Sequence, residues 1–516
     1  MHDKIDATAL ADAPDHFDGD VILGGGVCGC LLAHELLQRG DRPVWIIEAG
    51  GRQDENAIDR SQPARWLHLL GSTDDDSHIT MPNSGLAGRA ITWPRGRGLG
   101  GSGRINAMIW VPPHADDFQS LTLAGLQPDR LENAWQRASE LIAVESPRYL
   151  SPPSQQVLAA LRDRRDLGEF SAYRRINRNG RRWTTEQLLI DALQNHFEHA
   201  ARLNCVRAAA ASVAVERERV RSVTLHDGRD RRTVRLGDDA RLISCLGALA
   251  SPALLMRSGI GSPELLAEAG VAPRIASMQV GRNLHDHLIM PVIYDRESPA
   301  FLPGAPQAGE VEQWEREGTG PLASNIAECG GFDPDAKFQL HVTPTDYLRY
   351  PQGTAASAVT LGVQLTRPLS RGWIAPHRDA PDAPMDLHSN YMSDPADVAS
   401  LPDGVRWARQ IAQAGGWDAE RVPGKRRLDD ARILAAIARY AQTLYHPGGT
   451  CALGHEISHA VTSPEFQVHG VDGLSIVDAS LLPCPTVGNP TAVLATIACY
   501  AGERLSTSNI DSRIRA

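Results

Sequence analysis

Signals typical of several protein classes are absent from the 516-residue sequence. No stretch approaches the 18 or more consecutive apolar residues of a membrane-spanning helix, so we expect no membrane span. The 52 Lys and Arg residues are outnumbered by 62 Asp and Glu residues, which gives a formal net charge of −10. Because nucleic-acid backbones and anionic membranes favour a basic surface, we expect neither as a partner.

Cysteine is also scarce, with eight residues and no Cys-x-x-Cys pair. This number does not indicate a disulfide scaffold, so we expect buried free thiols and predict no metal site. The first 20 residues are acidic and contain no apolar run like that of a signal peptide. These observations predict a cytoplasmic protein.

Residues 20–48 follow the pattern of a strand, a helix and a second strand. Asp20–Leu23 predicts a short buried strand, and a helical pattern with an apolar face then continues to Arg39. Val44–Ile47 predicts the second strand, which ends at Glu48. This order is typical of a parallel sheet and predicts an α/β fold with a Rossmann-type domain.

A Gly-x-Gly-x-x-Gly loop joins the first strand to the helix. Gly24 permits the tight turn, Gly26 lets the backbone approach a pyrophosphate, and Gly29 lets the helix pack closely on the strand. Glu48, about 20 residues further on, is placed to accept hydrogen bonds from a ribose diol. The pattern predicts dinucleotide binding but does not distinguish FAD from NAD.

Five further motifs follow in order along the chain. A second glycine-dense run at Arg97–Met108 lies between apolar flanks, which argues against a flexible surface loop. The remaining motifs are Gly247–Gly261, Val280–His287, Tyr445–Cys451, and the pair Val477–Pro483 and Gly488–Thr491. Within the first of these, Ser251 and Pro252 form a good N-cap and N1 pair, which predicts a short helix that starts there.

Together these motifs resemble the signatures of the glucose-methanol-choline (GMC) oxidoreductase family. The resemblance covers nearly the whole chain and is strongest over 20–111, 241–287 and 440–505. The stretch Ile109–His114 (IWVPPH) resembles the choline dehydrogenase and oxidase-like branch. Gly103 departs from the family pattern, which has a second serine there, and this predicts a looser loop.

The resemblance implies a fold of two domains. The first is a Rossmann-type FAD-binding domain formed by 14–120, 198–290 and 440–516. The second is an α+β substrate-binding domain, an antiparallel sheet flanked by helices, formed by 121–197 and 291–439.

The resemblance also implies FAD as the cofactor. Ile105 stands where choline oxidases carry a histidine that bonds covalently to the flavin, so we expect non-covalent FAD. The helix after Asn489 would point its N-terminus at the flavin and stabilise negative charge on the reduced ring. The residues expected to contact FAD are Gly24, Gly26, Gly29, Glu48, Gly100, Gly101, Ser102, Asn106, Ala107, Val213, Asp478, Ala479, Pro490 and Thr491.

Within the same motifs, His446 and Asn489 are identified as the catalytic pair of the family. Glu328 and Tyr445 are expected near the substrate, since the choline-oxidising relatives place the glutamate of this segment against the substrate's cation. For His287 we expect a structural hydrogen-bonding role rather than catalysis.

The implied activity is oxidation of a small-molecule alcohol to an aldehyde or ketone, with hydride transfer to flavin N5. His446 and Asn489 would handle the hydroxyl proton. A non-redox lyase of the hydroxynitrile-lyase kind, which can keep the histidine, is the alternative. The substrate, and O2 or another electron acceptor, stay open at this point.

Overall fold

The computed structural model describes residues 5–50, 59–195, 197–296, 307–349, 358–380, 383–424 and 429–514. Its first layer is a six-stranded sheet in which all neighbouring strands are parallel. In spatial order the strands are Thr8–Ala9, Leu203–Arg207, Val44–Glu48, Asp20–Leu23, Arg241–Ser244 and Leu474–Ile476.

The strand–helix–strand unit at the centre of this sheet confirms the prediction. The observed elements are Asp20–Leu23, Val27–Arg39 and Val44–Glu48. A Cβ atom at Gly29 would lie 2.0 Å from the carbonyl oxygen of Gly24, so only glycine lets the helix pack this closely. The local sequence of this strand–helix–strand unit therefore determines the Rossmann-type arrangement.

A seven-stranded antiparallel sheet forms the second large layer. Its strands, in spatial order, are Glu420–Val422, Leu288–Asp295, Ala358–Leu365, Phe338–Thr343, Cys329–Phe332 and Glu169–Ala172, with Gln442–Thr443 paired beside Leu288–Asp295. Helices Pro152–Leu161, Pro395–Ala414 and Asp430–Tyr440 pack on this sheet or on one another. The prediction of an antiparallel sheet flanked by helices is confirmed.

The other regular elements surround these two layers. A smaller sheet contains Ala209–Glu216, Arg219–His226, Arg231–Leu236 and His16–Phe17. The other α-helices are Trp66–Leu69, Ala115–Leu123, Pro128–Leu141, Thr185–Asn195, Phe197–Ala200, Gly247–Arg257, Pro263–Glu268, Ala308–Glu317 and Thr491–Ile514.

Helix contacts and one strand cross the predicted domain boundaries. Helix Pro128–Leu141 packs against Thr491–Ile514, and its Arg137 forms an ion pair with the buried Glu35 of the first helix. Strand Leu288–Asp295 spans the boundary set at residue 290. The division into 14–120, 198–290 and 440–516 against 121–197 and 291–439 therefore stays a prediction.

One helix start differs from the sequence prediction. We expected a helix beginning at Ser251 and Pro252, but the helix is Gly247–Arg257 and contains Pro252 in its interior. The hydrogen bond that Pro252 cannot donate is replaced, because the Thr450 hydroxyl donates to the carbonyl oxygen of Ala248 at 2.6 Å. This partner lies about 200 residues away, so the local sequence could not reveal it.

All eight cysteines are free thiols, as expected; seven are buried and Cys484 is half-buried. Within the described residues, no helix is long and apolar enough to cross a membrane. Over the same residues, no cluster of His, Cys, Asp or Glu is arranged to hold a metal ion.

Candidate active site

Two glycine-rich loops meet above the carboxyl ends of the central parallel strands. The N–H of Gly100 donates to the carbonyl oxygen of Gly25 at 2.7 Å. A Cβ atom at Gly101 would lie 2.7 Å from the Gly26 Cα, so a side chain there would force the loops apart. Gly100 and Gly101 both have positive φ, which further favours glycine. The second glycine run is thus a packed wall rather than a mobile loop.

Gly26 lies at the N-terminal end of the first helix, beside open space. A Cβ atom there would meet no heavy atom closer than 3.9 Å, so the protein's own packing does not require glycine. No side chain caps this helix N-terminus. Free N–H groups and the helix dipole favour an anion here, so the space suits a pyrophosphate.

Glu48 joins the two glycine loops at the end of its strand. Its Oε2 accepts from the N–H of Gly25 at 2.9 Å, and its Oε1 accepts from Gly50 at 2.8 Å and Gly98 at 3.0 Å. A carboxylate offers about four acceptor positions, so a further hydrogen bond can be accepted. Glu48 can therefore order the loops and still receive a ribose hydroxyl.

A cavity of about 170 Å³ lies between the second glycine loop and the antiparallel sheet. Nine of the residues expected to contact FAD or the substrate line it. These are Ser102, Asn106, Ala107, Tyr445, His446, Ala479, Asn489, Pro490 and Thr491. The N-terminus of helix Thr491–Ile514 is part of this wall, as the sequence predicts.

His446 is held in one tautomer by its neighbour His287. His287 Nε2 lies 2.8 Å from the carbonyl oxygen of Thr366, which can only accept, so this nitrogen carries the hydrogen. Burial lowers the pKa of His287, and the neutral ring leaves Nδ1 as an acceptor. His446 Nδ1 lies 3.0 Å from it and must donate. Burial also lowers the pKa of His446, so its ring is neutral and Nε2 is the unprotonated nitrogen.

A chain of amides approaches the same nitrogen from the other side. Gln364 Nε2 donates to Gln339 Oε1 at 2.8 Å, and Gln339 Nε2 donates to Asn489 Oδ1 at 3.5 Å. This order leaves the Asn489 NH2 group facing His446 Nε2, at 3.4 Å. The contacts of His287 therefore leave His446 Nε2 as an acceptor, and the chain of amides leaves the Asn489 NH2 group as a donor that faces it.

The backbone that carries His446 is strained and tightly held. Tyr445 has φ of +68°, a conformation that an aromatic residue rarely adopts. The buried Asp286 carboxylate accepts from the His446 N–H at 2.7 Å and from the Thr443 hydroxyl at 2.6 Å. The Tyr391 hydroxyl donates to the same carboxylate, and Arg95 donates to the Tyr445 carbonyl. These contacts hold the backbone that carries the His446 ring.

Sequence profiles of the family described as GMC oxidoreductase match residues 19–289 and 368–498. The chain belongs to the GMC oxidoreductase family. It is therefore an FAD-dependent oxidoreductase of the class that acts on CH–OH donors, and the predicted family is confirmed.

Named relatives of this GMC oxidoreductase match over nearly their full length. It is 29% identical to an alcohol dehydrogenase [acceptor] of Pseudomonas putida, covering 96% of this chain and 97% of that protein. It is 30% identical to an oxygen-dependent choline dehydrogenase of Paraburkholderia xenovorans, covering 92% of each. The crystal structure of pyridoxine 4-oxidase from Mesorbium loti is 26% identical, with a TM-score of 0.82 over 94% of this chain and 99% of that one.

Two expected cofactor residues of the GMC oxidoreductase make other contacts. The Asp478 carboxylate accepts from the N–H of Gly247 and from the Ser251 hydroxyl, so it ties the helix Gly247–Arg257 to the C-terminal motif. The Val213 N–H donates to the Ser258 hydroxyl at 2.8 Å. Direct contact of either side chain with FAD stays a prediction.

Glu328 does not reach the cavity of the GMC oxidoreductase. It is fully buried, and its carboxylate accepts from the hydroxyl and N–H of Ser151 and from the hydroxyl of Ser324. Its neighbour Ala327 lines the cavity instead. The carboxylate expected near the substrate therefore joins two segments of the chain.

The sequence motifs did not indicate the supporting residues of the site. Gln339, His341 and Gln364 lie on strands of the antiparallel sheet in a region with few motifs. A possible signal was the presence of polar residues at alternate positions of otherwise apolar strands, since buried polar side chains need partners.

Proposed function

We propose that this GMC oxidoreductase oxidises a small-molecule alcohol to an aldehyde or ketone, with His446 accepting the hydroxyl proton. The observation that carries the proposal is the unprotonated Nε2 of His446 beside the NH2 group of Asn489. An alcohol hydroxyl between them would give its proton to His446 Nε2, and its oxygen would accept a hydrogen bond from the Asn489 NH2 group.

In the proposed reaction, the cofactor accepts the hydride and the protein's side chains handle the proton and the developing charge. FAD, when bound, accepts the hydride that leaves the alcohol carbon, with its electron pair. His446 takes the hydroxyl proton, and the C–O bond becomes C=O. Asn489 and the N-terminus of helix Thr491–Ile514 stabilise the negative charge that develops as the proton leaves.

Product analysis with an artificial electron acceptor tests this proposal. We expect one aldehyde or ketone for each two-electron equivalent of dye reduced. With oxygen excluded, so that the dye is the sole electron acceptor, a carbonyl product without dye reduction would contradict it and would favour the lyase alternative.

We also propose that FAD is held non-covalently. Ile105 is buried against the cavity, and its aliphatic side chain has no atom that can bond to the flavin ring. Acid precipitation of the purified protein is expected to leave the flavin in the supernatant. Yellow colour that stays in the protein pellet would contradict this prediction.

His287 is proposed to position His446 rather than to contact the substrate. His287→Leu removes the acceptor for His446 Nδ1–H, so we expect flavin reduction to slow by about tenfold, the effect of one hydrogen bond of about 1.4 kcal/mol. His287→Gln can donate to Thr366 and accept from His446, and it should restore most of the rate. The substrate dissociation constant should change little in either variant. Equal losses in both variants would contradict this role.

The rate should depend on pH only in the acidic range. Burial and the neighbouring His287 hold the pKa of His446 well below its ordinary value of 6.5. Since the neutral ring is the competent base, we expect the rate of flavin reduction to stay level from pH 8 through about pH 6.5 and to fall at lower pH. A midpoint above pH 7 for this rate would contradict the assignment.

A further inference from the structure

His341 is a buried polar side chain that the proposed mechanism does not use. It lies in strand Phe338–Thr343, is 2% exposed and lines the cavity. Among the residues that the structure describes, neither ring nitrogen has a hydrogen-bond partner. A buried polar group without a partner is destabilising, so a hydrogen-bonding group supplied by a ligand would be favoured here.

Beside His341, the cavity wall is formed by the Ile289 side chain, which packs over Gly362 of the neighbouring strand. Gly362 pairs with His341 in register, and a Cβ atom there would lie 2.4 Å from Ile289 Cδ1. Gly362 and Ile289 both line the cavity. A side chain larger than glycine at this position would therefore crowd the wall next to His341.

Three aromatic side chains form another wall of the cavity, namely Trp66, Tyr347 and Tyr445. The Trp66 N–H donates to the Asn325 carbonyl, and the hydroxyls of Tyr347 and Tyr445 lie 3.4 Å apart. Their polar atoms thus have partners within the protein, and Trp66 meets Tyr445 edge-on at 6.5 Å. Such a wall favours a flat ring, which gains both burial and aromatic contacts.

The charge around the cavity disfavours a cation. In the part of the chain that the structure describes, no Asp or Glu lines the cavity, and Glu328 is occupied by two serines. Arg95 is among the residues that line the wall, and its guanidinium donates to the carbonyl oxygen of Tyr445. Aromatic faces attract a quaternary ammonium, but a buried cation nearby would oppose that attraction.

We infer that the substrate is an uncharged aromatic alcohol with a second hydrogen-bonding group, which His341 binds while the reacting hydroxyl lies at His446. This inference rests on the proposed alcohol oxidation. His341 would thus determine specificity, and the aromatic wall would hold the ring.

Anaerobic flavin reduction by matched alcohols tests the inference in the holoenzyme. We would compare the 2-, 3- and 4-hydroxybenzyl alcohols with the corresponding methylbenzyl alcohols, which are similar in shape. The best hydroxy isomer should reduce the flavin at least about tenfold more efficiently than its methyl analogue. Choline should be a poorer reductant than 3,3-dimethylbutan-1-ol, its uncharged isostere.

His341→Leu should reduce the tenfold preference to less than about twofold, whereas Thr343→Val, on the same strand and cavity wall, should keep it. Loss of the preference in both variants, or in neither, would overturn the role of His341. The comparisons in the unmodified enzyme need no variant: equal efficiency of hydroxy and methyl analogues, or faster reduction by choline than by its isostere, would also overturn the inference.

Failure of the proposed function has a different result. In that case neither the aromatic nor the aliphatic alcohols would bleach the flavin, and His446→Ala would behave like the unmodified enzyme. Bleaching by aliphatic alcohols alone would overturn the aromatic substrate class and leave the proposed oxidation standing. Flavin bleaching that depends on His446 but is equally efficient with hydroxybenzyl and methylbenzyl alcohols would overturn only the inferred substrate class.

Discussion

Replacing His446 by Ala is expected to slow flavin reduction by an alcohol by about 10²–10⁴-fold, the usual contribution of a positioned acid–base group. The reason is the orientation of the ring, since His287 and Asn489 both leave Nε2 as the proton acceptor. Alanine removes this acceptor, and the hydroxyl proton then has no base within reach. Rapid-mixing absorbance measurements without oxygen give the rate directly.

The His446→Ala variant should still contain FAD, because the loops that would hold the adenine half lie elsewhere. His469→Ala is a suitable control, since His469 is half-buried, bonds to the Gly454 carbonyl and does not line the cavity. We expect normal reduction rates in this control. Unchanged rates in His446→Ala with full FAD content would contradict the assignment of the base.

Replacing Gly26 by Val is expected to weaken FAD binding by about 10- to 100-fold, which corresponds to about 1–3 kcal/mol of overpacking. The space beside Gly26 admits a Cβ atom with no protein atom closer than 3.9 Å, and the same space is where a pyrophosphate would approach the helix N-terminus. Flavin content after purification and titration of the apoprotein with FAD measure this effect.

Gly29→Ala provides the contrast within the same loop. Its Cβ atom would lie 2.0 Å from the Gly24 carbonyl oxygen, so we expect a lower melting temperature even without FAD. Gly26→Val should leave the melting temperature of the apoprotein nearly unchanged. A large loss of apoprotein stability in Gly26→Val, or full FAD affinity, would contradict the role given to Gly26.

The sequence predicted those parts of the fold that depend on local patterns. The strand Asp20–Leu23, the glycine loop and the helix Val27–Arg39 are specified by residues within about 20 positions of one another. The helix Gly247–Arg257 was misjudged because Thr450 satisfies the carbonyl that Pro252 leaves free. Local reasoning fails where such a distant side chain completes an element.

The sequence likewise predicted some contacts of the candidate site and missed others. Motifs indicated His446 and Asn489, and the structure brings them together at 3.4 Å. His287, 159 positions from His446, was expected only as a structural hydrogen-bonder, and its contact with His446 could not be read from spacing. Glu328 was expected at the substrate, but the serines that occupy its carboxylate lie on segments whose approach depends on the tertiary fold.

The central claim is that this GMC oxidoreductase holds FAD where an alcohol can reduce it. The most direct measurement is the visible spectrum of the purified protein without oxygen, before and after addition of a panel of alcohols that includes the hydroxybenzyl series. We predict a flavin absorption band that at least one alcohol bleaches, with no bleaching of free FAD by the same alcohol. A flavin band that no alcohol in the panel bleaches would contradict the proposed oxidation, and the lack of any flavin after incubation with FAD would contradict the assignment of the cofactor site.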